Sequence, residues 1–140
     1  MKYRVTISID TSPEKVWDVI SDVERWPEWT PTMSEIHRPG TGRLQVGSKA
    51  DVRQPGQPRR VWVVTELEDG HSFTWQTGGS MLTFRAEHIV RPVDGHTEVA
   101  LVFEIAGRAA APVSLLARRK VAAMVDTEAN SLKARCEKVQ

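Results

Sequence analysis

Hydrophobic and polar residues alternate at the start of the chain. Val5, Ile7 and Ile9 share one parity, and polar residues occupy the positions between them. Because successive side chains of a strand point to opposite faces, this period of two predicts a half-buried β-strand over residues 3–9.

The period changes after this strand. Residues 11–14, Thr-Ser-Pro-Glu, have the features of a helix start: a hydroxyl that caps free amides, a proline near the first helical position and an acid in the first turn. Apolar residues then recur at helical spacing as far as Ile20. Pro27 and Pro31 restrict the next segment to a second, very short helix that ends near Trp29.

From residue 34 to residue 106 the chain has only strand signals. The predicted strands are rich in Val, Thr, Phe and Trp and span 44–54, 60–68, 71–77, 81–92 and 96–106. The turns Glu68-Asp69-Gly70 and Asp94-Gly95 are of the hairpin type, so neighbouring strands are expected to run antiparallel. Residues 54–58, Gln-Pro-Gly-Gln-Pro, are predicted to form an exposed loop.

Helical spacing returns at residues 112–138, which begin with Pro112 and contain no later glycine or proline. At about 100° per residue, one face is apolar and holds Ala117, Val121, Met124, Val125, Leu132 and Val139. The predicted order is therefore that of an α+β protein: a strand, two short helices, about six antiparallel strands and one long amphipathic helix.

Alternation also predicts which strand residues face the covered side of the sheet, because the charged residues of a strand share the opposite parity. The predicted inward set is Ala50, Val52, Phe73, Trp75, Leu82, Phe84, Ala86, His88, Val90, Val99, Leu101, Phe103 and Ile105. In strand 60–68 either parity could face inward: Trp62 with Val64, or Val61 with Val63. A curved sheet of this many strands is wider than a helix of about 10 Å, so the remaining space is either filled by side chains or forms a cavity.

Composition narrows the functional classes. A length of 140 residues, 40% of them hydrophobic and 26% charged, fits one globular domain over residues 1–140. The 19 basic and 18 acidic residues nearly cancel, so no nucleic-acid partner is expected, and the clusters at 59–60 and 118–120 are expected to be solvated. No apolar stretch is typical of a signal peptide or a membrane span, so a cytoplasmic protein is expected.

Metal and covalent chemistry have little support. His37, His71, His88 and His96 lack the close spacing with cysteine or carboxylates that a zinc site shows, so neither a metal nor a cofactor is expected. Cys136 lies near a helix C-terminus, where the helix dipole disfavours a thiolate, so no nucleophilic role is expected.

Several segments together resemble a known family. They are VTISIDTSPEKVWDVISDVERWPEWTP at 5–31, FTWQTGG at 73–79, FRAEHIVRPVDGHTEVAL at 84–101 and LKARCEKV in the closing helix. In these segments the chain resembles the polyketide cyclase/dehydrase-like branch of the START-like, helix-grip superfamily, which includes the birch-pollen allergen. The resemblance implies a seven-stranded antiparallel sheet wrapped around the C-terminal helix, with an apolar cavity between them. It also implies a hydrophobic ligand such as a lipid, steroid or polyketide, and for some members a cyclase or dehydratase activity.

Two residues are the candidates for chemistry. Glu128 falls near the centre of the apolar helix face, where a carboxylate needs a ligand, water, His88 or Arg135 to satisfy it. His88 lies on the inward parity, and a neutral imidazole near a carboxyl group could act as a general base. Each residue has a structural alternative as well, Glu128 in an ion pair and His88 as a satisfied core residue.

The three tryptophans near the start of the chain have different predicted roles, one in the hydrophobic core and two at a possible ligand site. Trp17 has the spacing of a core position, whereas Trp26 and Trp29 straddle Pro27 and could line the entrance of a cavity.

The sequence is compatible with three functions. The first is binding or carrying a hydrophobic small molecule, with predicted contacts at Trp29, Val52, Trp75, Phe84, His88, Leu101, Phe103, Val121, Met124 and Glu128. The second is a cyclase or dehydratase that uses His88 and Glu128 as an acid/base pair. The third is a protein-interaction module. A monomer or a homodimer is compatible with each of them.

Overall fold

The computed structural model describes residues 1–138. It contains seven strands, two α-helices and one 3-10 helix. In chain order these are β1 (Lys2–Ile9), α1 (Pro13–Ser21), the 3-10 helix (Val23–Glu28), β2 (Glu35–His37), β3 (Lys49–Arg53), β4 (Arg60–Glu68), β5 (Ser72–Gly78), β6 (Thr83–Val93), β7 (His96–Ala106) and α2 (Ala110–Glu137).

The seven strands form one antiparallel sheet in the order β1-β7-β6-β5-β4-β3-β2. The first strand pairs with the last, so residues 2–9 and 96–106 lie side by side at one edge of the sheet. Helix α2 packs against β1 and β7, and α1 packs against β6 and β7. The predicted α+β architecture, a seven-stranded sheet with one long C-terminal helix and two short helices after β1, is confirmed.

The two short helices form for the reasons that the sequence suggested. The Ser12 hydroxyl accepts the Lys15 amide at 3.2 Å and so caps α1. Trp17 is buried, as predicted for a core residue. Trp26 is fully buried as well, and its indole N–H donates to the Ile20 carbonyl at 3.0 Å, which fastens the 3-10 helix to the end of α1.

The main differences from the prediction concern β3, β2 and the start of α2, and other strand ends differ by one or two residues. The strand predicted over 44–54 is shorter, because residues 44–48 form a turn with Gly47 at a positive φ. Strand β2, which is three residues long, was not predicted as a separate segment. Helix α2 begins before Pro112, which fits because the first helical turn has no intrahelical partner for its amides. Val139, assigned by the pattern to the apolar face of this helix, lies outside the described residues.

The predicted inward residues Val99, Leu101 and Ile105 of β7 and Val90 of β6 belong to the hydrophobic core, and His88 of β6 is buried beside them. Ala100 and Val102, on the opposite parity of β7, are buried as well but lie outside that core. The structure resolves the ambiguity of β4 in favour of the first alternative, because Trp62 and Val64 are 5% and 1% exposed whereas Val61 is 47% exposed.

Within residues 1–138, no helix has both the length and the apolar composition needed to cross a membrane.

Candidate functional site

The space between α2 and the sheet is an open cavity of about 380 Å³. Its walls come from the turn after the 3-10 helix, the loop after β3, strands β4, β6 and β7, and residues 113–127 of α2. The lining residues are Pro31, Thr32, Gln54, Pro55, Gln57, Arg60, Trp62, Phe84, Phe103, Ile105, Val113, Ala117, Lys120, Val121, Met124 and Thr127. We call this space the outer chamber.

A smaller space of about 30 Å³, the inner chamber, lies deeper under the sheet. Its volume has room for about one or two water molecules. Its lining includes Trp26, Met33, Trp75, Ala86, His88, Leu101, Val125 and Glu128. Gln54, Trp62, Phe103 and Met124 line both chambers, so these four side chains form the neck between them.

Aromatic rings build one wall of the inner chamber. Trp26 packs against Trp75 at 5.4 Å between ring centroids and against His88 at 5.3 Å. Phe73 stacks on His88 at 4.2 Å with a 12° angle between the rings. These large, interlocked rings hold the His88 imidazole in one orientation.

The His88 imidazole is neutral at physiological pH. Its Nδ1 lies 3.1 Å from the Phe73 carbonyl, which can only accept, so Nδ1 carries the proton and Nε2 is left with a lone pair. Burial lowers the pKa of His88 from 6.5 to about 4, although the bond to Phe73 acts in the opposite direction. His88 is therefore a hydrogen-bond acceptor at the inner chamber and a weak base.

Glu128 has the opposite perturbation. Burial raises the pKa of this carboxyl from 4.5 to about 7, and the hydroxyl of Thr32, which donates to Oε2 at 3.3 Å, offsets part of that rise. Near neutral pH, Glu128 therefore exists in both protonation states. Of the two candidate residues, Glu128 has the pKa that suits proton transfer at that pH.

A short polar chain connects Glu128 to the neck. Thr30 and Thr32 share a hydrogen bond of 2.8 Å between their hydroxyls, and Thr32 continues to Glu128. The Gln54 amide donates to the Thr32 carbonyl at 3.2 Å and lies 3.5 Å from the sulfur of Met124. These hydrogen bonds place polar groups next to a cavity whose walls are mainly apolar.

Two cations lie at the mouth of the outer chamber. The Arg60 guanidinium lies 5.0 Å from the centroid of the Phe84 ring and donates to Gln57, and Lys120 comes from α2. An anionic or polar group on a bound molecule could meet these side chains at the entrance.

The structure brings most of the predicted contact residues to this cavity. Those that line one or both chambers are Trp75, Phe84, His88, Leu101, Phe103, Val121, Met124 and Glu128. Val52 and Trp29 are not among the lining residues. Val52 is buried in β3, and Trp29 packs on Trp26 at 5.5 Å, one side chain away from the inner chamber. The indole nitrogen of Trp29 is buried and has no hydrogen-bond partner among the described residues.

Two of the partners considered for Glu128 are not the ones observed. Arg135 instead donates to Glu28 at 3.0 Å, because it lies two helical turns further on and extends away from the cavity toward the 3-10 helix. His88 donates its Nδ1–H hydrogen bond to the carbonyl of Phe73. The observed partner of Glu128, Thr32, carries no signal in the sequence, because it belongs to an irregular turn.

The loop at 54–58 was predicted to be exposed, and this is wrong for its first residue. Gln54 is half-buried and lines both chambers, because it directly follows β3 and its side chain contacts Met124 of α2. Sequence reasoning also missed Arg60 as a lining residue. Trp62 could have been found, because its parity was one of the two alternatives for β4.

Metal binding and thiol chemistry are the other activities for which the described residues can be searched. No group of three or more histidine, cysteine, aspartate or glutamate side chains among these residues is arranged to hold a metal ion. Cys136 is buried, and burial raises the pKa of its thiol to about 11.

Comparison with known proteins identifies the family. The model of the family described as polyketide cyclase/dehydrase and lipid transport matches residues 1–137. No curated protein sequence matches the chain.

Solved structures share the fold at low sequence identity. A START superfamily protein from Mycobacterium smegmatis is 15% identical with a TM-score of 0.75, and the match covers 97% of each chain. The ZhuI aromatase/cyclase from Streptomyces sp. R1128 is 15% identical with a TM-score of 0.73, over 98% of this chain and 93% of the other. A hypothetical protein from Helicobacter pylori is 14% identical with a TM-score of 0.78, over 96% and 86%.

The family match spans nearly the whole chain, and the seven-stranded sheet around a long C-terminal helix is the helix-grip arrangement of these structures. The chain therefore belongs to the polyketide cyclase/dehydrase and lipid transport family.

Proposed function

We propose that this protein binds and carries a hydrophobic small molecule in the cavity between α2 and the sheet. The observation that carries the proposal is the cavity itself: an outer chamber of about 380 Å³ with mainly apolar walls connects through a shared neck to a smaller chamber lined by His88 and Glu128. A mainly apolar pocket with a few convergent polar groups is the usual form of a small-molecule site, and this volume lies within the usual range of about 300–1,000 Å³.

The chemistry of the inner end suggests the ligand class. His88 offers only an acceptor at Nε2, the Gln54 amide has both donors and an acceptor, and Glu128 donates when protonated and accepts when ionised. A lipid, polyketide, steroid or quinone-like molecule with an apolar body and a hydroxyl or carbonyl group at its leading end would satisfy these groups.

Filling the outer chamber tests the proposal. Ala117 lines this chamber from α2, so Ala117→Phe should lower the affinity for the neutral fluorescent probe N-phenyl-1-naphthylamine by at least about tenfold. Ala123 is exposed on the same helix, and Ala123→Phe is the matched control, expected to bind the probe within about twofold of the wild type. Failure of the wild type to bind the probe, or equal affinities for both variants, would contradict a ligand site in this chamber.

A cyclase or dehydratase is the second candidate, favoured by the pKa of about 7 at Glu128 inside a chamber shared with His88. A carboxyl group of this pKa can give and take a proton during an aldol-type cyclisation or a dehydration. The ZhuI relative is named as an aromatase/cyclase. The two functions differ in their demand on Glu128: a carrier tolerates Glu128→Gln because the amide still forms hydrogen bonds, whereas an acid/base catalyst loses its turnover.

A further inference from the structure

Three of the large hydrophobic side chains that the fold leaves in solvent lie at one end of the molecule. Leu115 and Leu116, in the second turn of α2, are 74% and 88% exposed, and Met81, in the loop between β5 and β6, is 57% exposed. The Ala109 amide donates to the Met81 carbonyl at 2.8 Å, so this loop and the start of α2 are in direct contact. Adjacent leucines that are exposed to this extent indicate a binding surface, because contact with an apolar partner would remove their side chains from water.

The same end carries unpaired positive charge. Arg108, Arg118, Arg119 and Lys120 flank the leucines, and no acidic residue occurs between Glu104 and Asp126. Within residues 1–138, none of these four cations forms an ion pair. The near-zero net charge of the whole chain therefore conceals a local cationic cluster. We define Met81, Arg108, Leu115, Leu116, Arg118 and Arg119 as the docking surface.

The docking surface borders the mouth of the cavity. Val113 and Ala117 line the outer chamber from the same turns of α2 that present Leu115 and Leu116 to solvent, and Lys120 belongs to both the lining and the cationic cluster. One face of this helical segment thus covers the cavity while the opposite face is free.

We propose that the docking surface binds the surface of an anionic lipid bilayer and brings the mouth of the outer chamber to it. Exposed leucines beside arginines match the boundary between acyl chains and negatively charged head groups, which accepts apolar side chains and attracts cations together. A second copy of this chain is disfavoured as the occupant, because two docking surfaces placed face to face would bring both cationic clusters together.

Vesicle flotation tests the docking surface, and N-phenyl-1-naphthylamine binding reports on the cavity separately, so failure of this proposal is distinguishable from failure of the proposed function. The wild type should float with vesicles of 70% phosphatidylcholine and 30% phosphatidylglycerol, bind much less to pure phosphatidylcholine, and be released by 0.5 M salt. The double variant R118E/R119E should bind the anionic vesicles at least about 25-fold more weakly, because each basic residue near such a surface contributes about fivefold. The double variant L115S/L116S should lose at least about tenfold, because the removed side chains supply the apolar contact.

Control variants come from elsewhere on the surface. Arg4→Glu with Lys49→Glu makes the same charge change at two exposed positions of β1 and β3, and Val61→Ser removes an exposed apolar side chain from β4. Both controls should bind anionic vesicles within about threefold of the wild type. Three results would overturn the proposal: no wild-type binding, equal losses in the control variants, or a wild-type dimer in analytical ultracentrifugation that L115S/L116S dissociates.

Discussion

Glu128 and His88 line the same inner chamber, and burial moves their pKa values in opposite directions. Both shifts disfavour the charged form, because the chamber offers little water to solvate a carboxylate or an imidazolium. Near pH 7 the fold therefore keeps His88 neutral and Glu128 only partly ionised, which suits a ligand without full charge at the end that meets them.

These two residues should make opposing contributions to stability. The folded protein holds the Glu128 proton more tightly than the unfolded chain does, so this contribution is fully present below pH 4.5 and is lost as pH rises through about 7. The unfolded chain holds the His88 proton more tightly, so that contribution is present above pH 6.5 and is lost as pH falls through about 4. Between about pH 4.5 and 6.5 the two slopes should largely cancel.

Single substitutions should reveal how each residue makes the free energy of unfolding depend on pH. In Glu128→Gln the free energy of unfolding should fall, relative to the wild type, by about 1 kcal/mol per pH unit from pH 6 to pH 5, because only His88 still titrates. In His88→Gln it should rise by a similar amount over the same interval. Urea unfolding at pH 5, 6 and 7 measures both, with His71→Gln as a control at an exposed position. Profiles of both variants parallel to the wild type would show that neither group is perturbed as described.

For Glu128 and His88, the sequence predicted the position of each residue in the fold but not its hydrogen-bond partner. The helical wheel located Glu128 on the apolar face, and strand parity located His88 on the covered side of the sheet. The hydrogen bond from Thr32 to Glu128 joins residues that are 96 positions apart, through an irregular turn with no periodic pattern. Partner choice of this kind depends on tertiary packing, which spacing along the chain does not encode.

The junction between β7 and α2 sets where α2, which covers the cavity, begins relative to the sheet. Gly107 adopts φ +106° there, and a Cβ at this position would lie 2.7 Å from the Met81 carbonyl oxygen. Glycine lets the chain leave the sheet and start the helix while it touches the loop between β5 and β6.

Alanine substitution should show how much the close approach at this junction matters. Gly107→Ala should lower the free energy of unfolding by at least about 2–3 kcal/mol, because backbone strain and a clash with backbone add. Gly95 in the hairpin between β6 and β7 also has a positive φ, +86°, but a Cβ there would meet nothing within 4 Å. Gly95→Ala should therefore cost only about 1 kcal/mol, the strain alone. Urea unfolding compares the two, and equal losses would mean that the contact with Met81 is not tight.

Element types were predictable from the sequence, and the exceptions have physical causes. Strict alternation located β1, β6 and β7, and the start at Ser12-Pro13 located α1. Strand β2 has three residues and only Ile36 is buried, which is too short for a period to register. The buried Leu44 precedes β3 in a turn, so its apolar character extended the predicted strand beyond the real one.

For the whole molecule, the open question was whether the space under the helix is filled. The sequence predicted the space because a sheet of this many strands is wider than one helix. It could not predict the volume, which is the difference between two large quantities, the enclosed space and the summed side-chain volumes. Half-buried Phe84, Phe103 and Ala117 face this space without filling it, and the result is the outer chamber.

Methionine methyl groups offer the most direct test of whether a ligand occupies this cavity. The chain has four methionines: Met124 lines both chambers, Met33 lines the inner one, Met81 belongs to the docking surface, and Met1 begins the chain. Two-dimensional ¹³C–¹H spectra of methyl-labelled protein, titrated with N-phenyl-1-naphthylamine, should show a large saturable shift at Met124 and a smaller one at Met33. The signal of Met81 should stay in place. Saturable binding that shifts Met81 and leaves Met124 unchanged would put the ligand outside the cavity and refute the proposed site.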